Sequence, residues 1–181
     1  MAQYSNNEIL NRMFNEDTES IKVLGGGYTS GLLSITRPAD TTGYTAGDVV
    51  GAATAAITFP TMGPSAGGEI LITSAAFERD ATAIISGETS YTLHLYSVTP
   101  PSALADNAVF DLPSGDRASY LGSISLGTPV DLGSTLYVEQ NGINKQVTLA
   151  SGSLYGYLVT VGAYTPASAA VHRIQLHSVA V

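Results

Sequence analysis

Tyr91-Thr92-Leu93-His94-Leu95-Tyr96 decides the fold, because its side chains repeat every two residues. Tyr91, Leu93 and Leu95 fall on one face of an extended segment, and Thr92, His94 and Tyr96 on the other. Segments of the same kind recur on both sides: Gly31–Arg37, Thr54–Phe59, Glu69–Phe77, Ser119–Leu126, Thr135–Gln140, Gln146–Leu149, Tyr155–Val161 and Arg173–Val181, with Val49–Val50 as a further short one. Turn chemistry separates nearly every pair, at Pro60–Pro64, Ser86-Gly87, Pro100-Pro101, Pro113–Asp116, Asn141-Gly142, Ser151-Gly152 and Thr165-Pro166. Asn141-Gly142 is the sharpest of these signals, since both central positions of a type I′ turn need positive φ. It predicts a hairpin between Thr135–Gln140 and Gln146–Leu149. From Tyr28 onward no stretch has the period of a helix.

About eight to ten short strands in a chain of this length predict an all-β, antiparallel sandwich of the jelly-roll type. Ile35, Val49, Ile57, Phe59, Ile70, Ile72, Leu93, Leu95, Leu121, Ile124, Leu136, Val138, Leu158, Ile174 and Leu176 are its expected core.

Residues 1–27 read differently. Ser5-Asn6-Asn7-Glu8 is a capping-box pattern, and Ile9, Leu10, Met13 and Phe14 then recur at helical spacing. A helix ending near Asn15–Asp17 has about ten residues, too few to stand alone in water. Ser20–Leu24 alternates like a strand, and Gly25-Gly26-Gly27 interrupts all structure. The expected organisation is an N-terminal arm over 1–27 (short helix, short strand, glycine hinge) and a β-sandwich body over 28–181. The stripe Ile9, Leu10, Met13, Phe14 is the candidate contact surface, packed on its own body or on a neighbour.

The 181 residues fit one compact domain with an appended arm. Charged residues make up 12%, about half the usual share. A surface this poor in charge is either neutral or covered by partners. Seven Lys and Arg stand against 15 Asp and Glu, for a net charge of −8, and the basic residues are scattered. That argues against nucleic acid as a partner. Cysteine is absent, which excludes disulfides, thiolate metal sites and thiol nucleophiles. The first residues lack a basic region followed by an apolar one, so no signal peptide is expected. No apolar run approaches the roughly 18–20 residues needed to cross a bilayer. The expectation is synthesis in a cytoplasm and no membrane partner.

Each possible centre of chemistry has a plainer reading. Gly63-Pro64-Ser65-Ala66-Gly67 matches G-x-S-x-G, but Gly68–Thr73 after it reads as a strand, whereas a nucleophile elbow needs a helix there. Gly25–Gly31 lacks the spacing and the Lys of a phosphate loop. His172 and His177 are five apart on one expected strand and so face opposite sides. His94 stands alone. Asp111 and Asp116 lie outside any calcium-loop pattern, and Asp116 with Arg117 is expected to fix the turn after Pro113. A glycosidase carboxylate pair has little support, because Trp is absent and sugar stacking would rest on 10 Tyr and 4 Phe. No catalytic, cofactor-binding or metal residue is assigned, no cofactor is expected, and the chain does not read as an enzyme.

The remaining signal is one of resemblance. Thr36–Gly51, TRPADTTGYTAGDVVG, resembles a phrase found in virion structural proteins of tailed bacteriophages. Val109–Gly122, VFDLPSGDRASYLG, is similar to another segment of those proteins, and the two cover about a sixth of the chain. Asn7–Leu24 resembles the opening of phage head-fibre and adaptor proteins. The resemblance implies a capsid decoration (cement) protein: a homotrimeric jelly roll on the capsid surface of the virion, with the major capsid protein as partner and the arm as clamp. The alternative it leaves is a head or tail fibre or adaptor subunit. A glycan-binding or glycan-processing domain is the reading from another class.

Overall fold

The computed structural model describes residues 14–15, 20–21, 26–52 and 56–181. Among these the chain is all-β and has no helix. The strands are β1 (Phe14–Asn15), β2 (Ser20–Ile21), β3 (Gly27–Thr29), β4 (Leu33–Thr36), β5 (Val49–Val50), β6 (Ile57–Phe59), β7 (Gly68–Asp80), β8 (Tyr91–Tyr96), β9 (Tyr120–Gly127), β10 (Val130–Asp131), β11 (Thr135–Leu149), β12 (Leu154–Thr160) and β13 (Val171–Ala180).

Two antiparallel sheets carry the body. One runs β10-β11-β7-β13 and ends on β3 and β4, which lie in line along the same edge of β13. The other runs β9-β8-β12 and ends on β5 and β6, again in line along one edge. Ser30 bridges the break between β3 and β4: its N–H donates to the Leu176 carbonyl at 3.1 Å, and its hydroxyl accepts from the Leu176 N–H at 3.0 Å. When each interrupted edge is counted once, the pairs are nested. β3/β4 pair with β13, β5/β6 with β12, β7 with β11, and β8 with β9. An antiparallel ribbon wound in this way is a jelly roll.

Period-2 patterning places the core between the sheets. Phe59, Ile70, Ile72, Leu93, Leu95, Leu158, Ile174 and Leu176 are buried there as expected. Ile57, Leu121 and Val138 are only partly buried and pack at its margin. A second, smaller cluster lies on the outer face of β8 and β12. Tyr96, Tyr157, Val49 and Val159 are roofed there by Leu104, Phe110 and Leu112 from the β8–β9 connection.

Three expectations change. Asn141-Gly142 does not reverse the chain, and the two segments flanking it are one strand, β11. Gly142 and Asn144 do take positive φ (69° and 51°), but they form a bulge, with residues 142–144 lying opposite Thr73. The ladder with β7 continues on both sides, and that pairing overrides the local turn preference. Gly27 is not a hinge residue. It opens β3 opposite Val179, and the neighbouring Gly26 carbonyl accepts from Ala180 N–H at 3.3 Å. In the arm, Phe14 and Asn15 have extended backbone paired with Ile21 and Ser20, so the helix expected to end near Asn15–Asp17 does not include them. Ile9, Leu10 and Met13 lie outside the described residues.

Candidate functional site

The two phage-like segments meet at one end of the sandwich, where Asp48 bridges Val109, and the first of them carries a buried arginine. Pro38 ends β4, and the Arg37 side chain just before it turns inward to 0% exposure. Its Nε donates to the Tyr44 hydroxyl at 3.1 Å, and its Nη2 to Asp40 Oδ1 at 3.0 Å and Asp106 Oδ2 at 3.4 Å. Its Nη1 serves the carbonyls of Asp40 and Ala167. Tyr44 in turn donates to Asp106 Oδ1 at 2.5 Å, and the Gly51 N–H donates to the same oxygen at 3.0 Å. The backbone repeats the link. Val49 N–H reaches the Ala108 carbonyl, Asn107 N–H the Val49 carbonyl, and Phe110 N–H the Gly47 carbonyl, at 2.8–2.9 Å. The β4–β5 and β8–β9 connections are thereby stitched into one unit.

A second buried ion pair adjoins this one. The Tyr44 ring packs against Tyr164, with centroids 5.2 Å apart. The Tyr164 hydroxyl lies 2.8 Å from that of Tyr91, and Tyr91 donates to Glu88 Oε1 at 2.7 Å. Glu88 Oε2 accepts from Arg79 Nη2 and from the Ile85 N–H. Burial, followed by the hydrogen bond to Asp106, pushes the Tyr44 hydroxyl far above its ordinary value. Burial raises Tyr164 to about 12 and Tyr91 well above 10. The phenols therefore stay neutral donors at physiological pH, and both arginines face carboxylates. What this network supplies is rigidity, since its polar atoms are turned on one another rather than towards a ligand.

His172 sits opposite Arg79 in the ladder, fully buried against Phe77 and Tyr91. Both of its ring nitrogens and Arg79 Nε have no hydrogen-bond partner in the protein. Burial first, then the charges of Arg79 and Arg37, push the imidazole pKa down to about 3. An unfolded chain takes up that proton near pH 6.5, so the folded state loses stability as pH falls from 6.5 towards 3. The loss from this group is about 1.4 kcal/mol per pH unit. His172→Phe keeps the packing and removes the proton site. Urea titrations at pH 7 and pH 5 should show it about 2 kcal/mol less sensitive to acid than the parent.

The other sequence signals resolve simply. Ser65 lies in an exposed turn closed by Gly67 N–H to the Pro64 carbonyl, and β7 follows directly. His172 points into the core and His177 away from it. His94 is half-buried: its ring stacks on Phe110 at 3.7 Å, and Nδ1 lies 2.9 Å from the Tyr120 hydroxyl. Asp116 is buried, but Arg117 is not its partner. Its carboxylate accepts from the N–H and hydroxyl of Ser102, and its carbonyl from the Ser119 hydroxyl. Tyr44 and Tyr164 lie outside the strands yet are interior.

Among the described residues no three of His, Cys, Asp and Glu cluster as metal ligands. An open groove of about 490 Å³ beside the β11 bulge is lined by Ser123, Ser125, Asn141, Asn144 and Lys145. Of the candidate contact residues, the structure describes only the backbone of Phe14. Sequence reasoning missed Arg79, Glu88 and Asp106. The signal for Arg79 was parity, because it continues the inward series Ala75, Phe77 and a buried charge demands a counter-ion.

No protein-family model matches the chain, and no curated protein matches it. Among solved structures it is similar to a chain from the capsid of Ralstonia phage GP4, at 11% identity over 90% of each chain with a TM-score of 0.42. It is also similar to a chain of the Israel acute paralysis virus pentamer, at 9% identity over 86% of this chain and 88% of that one, TM-score 0.28. A third is a chain of the native virion of Kashmir bee virus at acidic pH, at 12% identity over 99% and 79%, TM-score 0.28. At such identities and scores they carry no weight for function, and the jelly roll rests on the strand order itself.

Proposed function

We propose that this chain is a structural protein of a tailed-phage virion that decorates the capsid exterior and braces it by bridging capsid subunits. One observation supports this above all. The two phage-like segments do not surround an opening. They pair directly, Phe110 N–H with the Gly47 carbonyl and Asp48 with Val109, while Arg37 and Tyr44 of the first hold Asp106 just ahead of the second, which makes a closed end of the jelly roll. Residues spent on holding a shape suit a part whose work is contact area. The outer face of the β11-β7-β13 sheet fits the same role, with Arg173 held by Asp80 and Gln146 by Glu69.

The major capsid protein as partner and a homotrimeric state come from the sequence resemblance. The mechanism is additive: surface buried across several subunits raises the free energy needed to part them, and multivalent attachment lets each contact be weak. The arm, through Ile9, Leu10, Met13 and Phe14, is the clamp. Deleting residues 1–26 spares β3 and the whole body. The truncated protein is expected to fold, with an unchanged melting curve, and to lose most of its occupancy when mixed with particles lacking it. Full occupancy after truncation would sink the clamp. A few copies at one vertex of the particle, instead of copies over its whole surface, would favour the fibre or adaptor reading.

A further inference from the structure

The end of the sandwich that holds both buried ion pairs also gathers exposed apolar side chains. β4 ends there beside Val171, β7 beside Thr135 and β12 beside Tyr91, so the connections that follow these strands meet. Of the large apolar side chains exposed among the described residues, Ile84, Val109, Val130, Leu132 and Val161 belong to this end, at 42–68% exposure. Only Leu32, Val98 and Val181 lie elsewhere. Backbone bonds link the group. Val109 bridges Asp48, whose carbonyl accepts from Thr160 N–H at 3.0 Å, and Val161 N–H donates to the Ser90 carbonyl in the connection that carries Ile84. Leu132 N–H donates to the carbonyl of Thr135, which pairs with Asp80 at the start of that connection. Single exposed apolar residues need no explanation, whereas a concentration of them marks a contact surface.

The charge of this end is one-sided. Asp40, Asp80 and Asp131 are exposed, while Arg37 and Arg79 are turned inward to Asp106 and Glu88. Arg173, on the outer face of β13, is engaged by Asp80 and Glu78. No lysine lies in these connections. Two copies meeting end to end would set aspartates against aspartates. No other face of the chain complements this one, since Arg117 and Lys145, the remaining cations among the described residues, stand apart in the β8–β9 connection and beside the β11 bulge. A different protein surface, apolar and bordered by Lys or Arg, does complement it. The two ion pairs behind the connections hold them in place before contact, which lowers the ordering cost of binding.

We propose that this end of the jelly roll is its docking face, and that its occupant is a surface of another protein carrying apolar side chains bordered by Lys or Arg. This rests on the capsid reading above, in which the occupant is a capsid subunit. Gly26, where the arm joins the body, is tied to Ala180 at the opposite end of β13, about 30 Å away, so arm and docking face hold separate points. Particles lacking the chain are the probe. Val109→Ser combined with Leu132→Ser is expected to weaken binding to them about tenfold or more, with an unchanged melting curve. Val98→Ser, at an exposed position of the opposite end, is expected to bind as the parent does. Asp131→Lys is expected to weaken binding through like charge. Parent-like binding by the double variant, or an equal loss with Val98→Ser, would overturn the docking face. Tighter binding by Asp131→Lys would overturn the basic character of the occupant. Self-association of the purified parent in sedimentation velocity that the double variant loses would make the occupant a second copy and overturn the proposal too. A parent that fails to bind particles would sink the proposed function and this inference with it, whereas variants that bind as the parent does would sink the inference alone.

Discussion

Glu88→Ala is expected to destabilise the protein by about 3–5 kcal/mol, enough to leave a domain of ordinary stability barely folded at 25 °C. The Arg79 and Glu88 side chains are 2% and 1% exposed. Removing the carboxylate strands a buried guanidinium opposite the unpartnered His172, and takes away the acceptor of the Tyr91 hydroxyl. The cost comes less from the attraction lost than from the charge left without a counter-ion or water. Two further variants separate these terms. Glu88→Gln keeps an acceptor and should cost less. Arg79→Met with Glu88→Leu removes both charges and should recover much of the loss. Urea midpoints at pH 7 measure all three. A loss below about 1 kcal/mol for Glu88→Ala would mean that this pair is not buried as described.

The second large effect is that of Asp106→Ala, expected to cost about 3 kcal/mol. It falls at the lower end because Arg37 keeps Asp40, itself 47% exposed, and three carbonyls. The distinctive outcome is local. Asp106 ties the β8–β9 connection to Tyr44, Arg37 and Gly51, so its loss should loosen residues 97–119 before the sheets open. Limited proteolysis should cut there first, with amide exchange rising in that segment and not in β7 or β13. Tyr44→Phe removes one hydroxyl from the same node and should show the same pattern more weakly, since it leaves the ion pair in place.

Much of this architecture was legible because a half-buried strand prints its orientation into the sequence every second residue. The periodicity of Tyr91–Tyr96 located β8, and the same reading placed β7, β9, β12 and β13 within a few residues. Asn141-Gly142 misled because a turn signal reports only local φ preferences. A fifteen-residue strand paired along a thirteen-residue partner absorbs two left-handed residues as a bulge. The buried network was hidden for another reason. Asp106 and Arg37 are 69 residues apart, and a carboxylate in a polar connection looks solvated until the fold brings it to its arginine. The tyrosines followed suit. Tyr44 and Tyr164 sit in turn-rich stretches, and only the bridge between them shows that those stretches are interior.

The most direct measurement of the central claim is cryo-electron microscopy of purified particles from the source that encodes this chain, which the proposal holds to be a tailed phage. The account predicts density for the jelly roll on the outer capsid surface, repeating with the capsid lattice and touching more than one capsid subunit. Virions free of this density and of the chain itself, or copies confined to the tail, would contradict it.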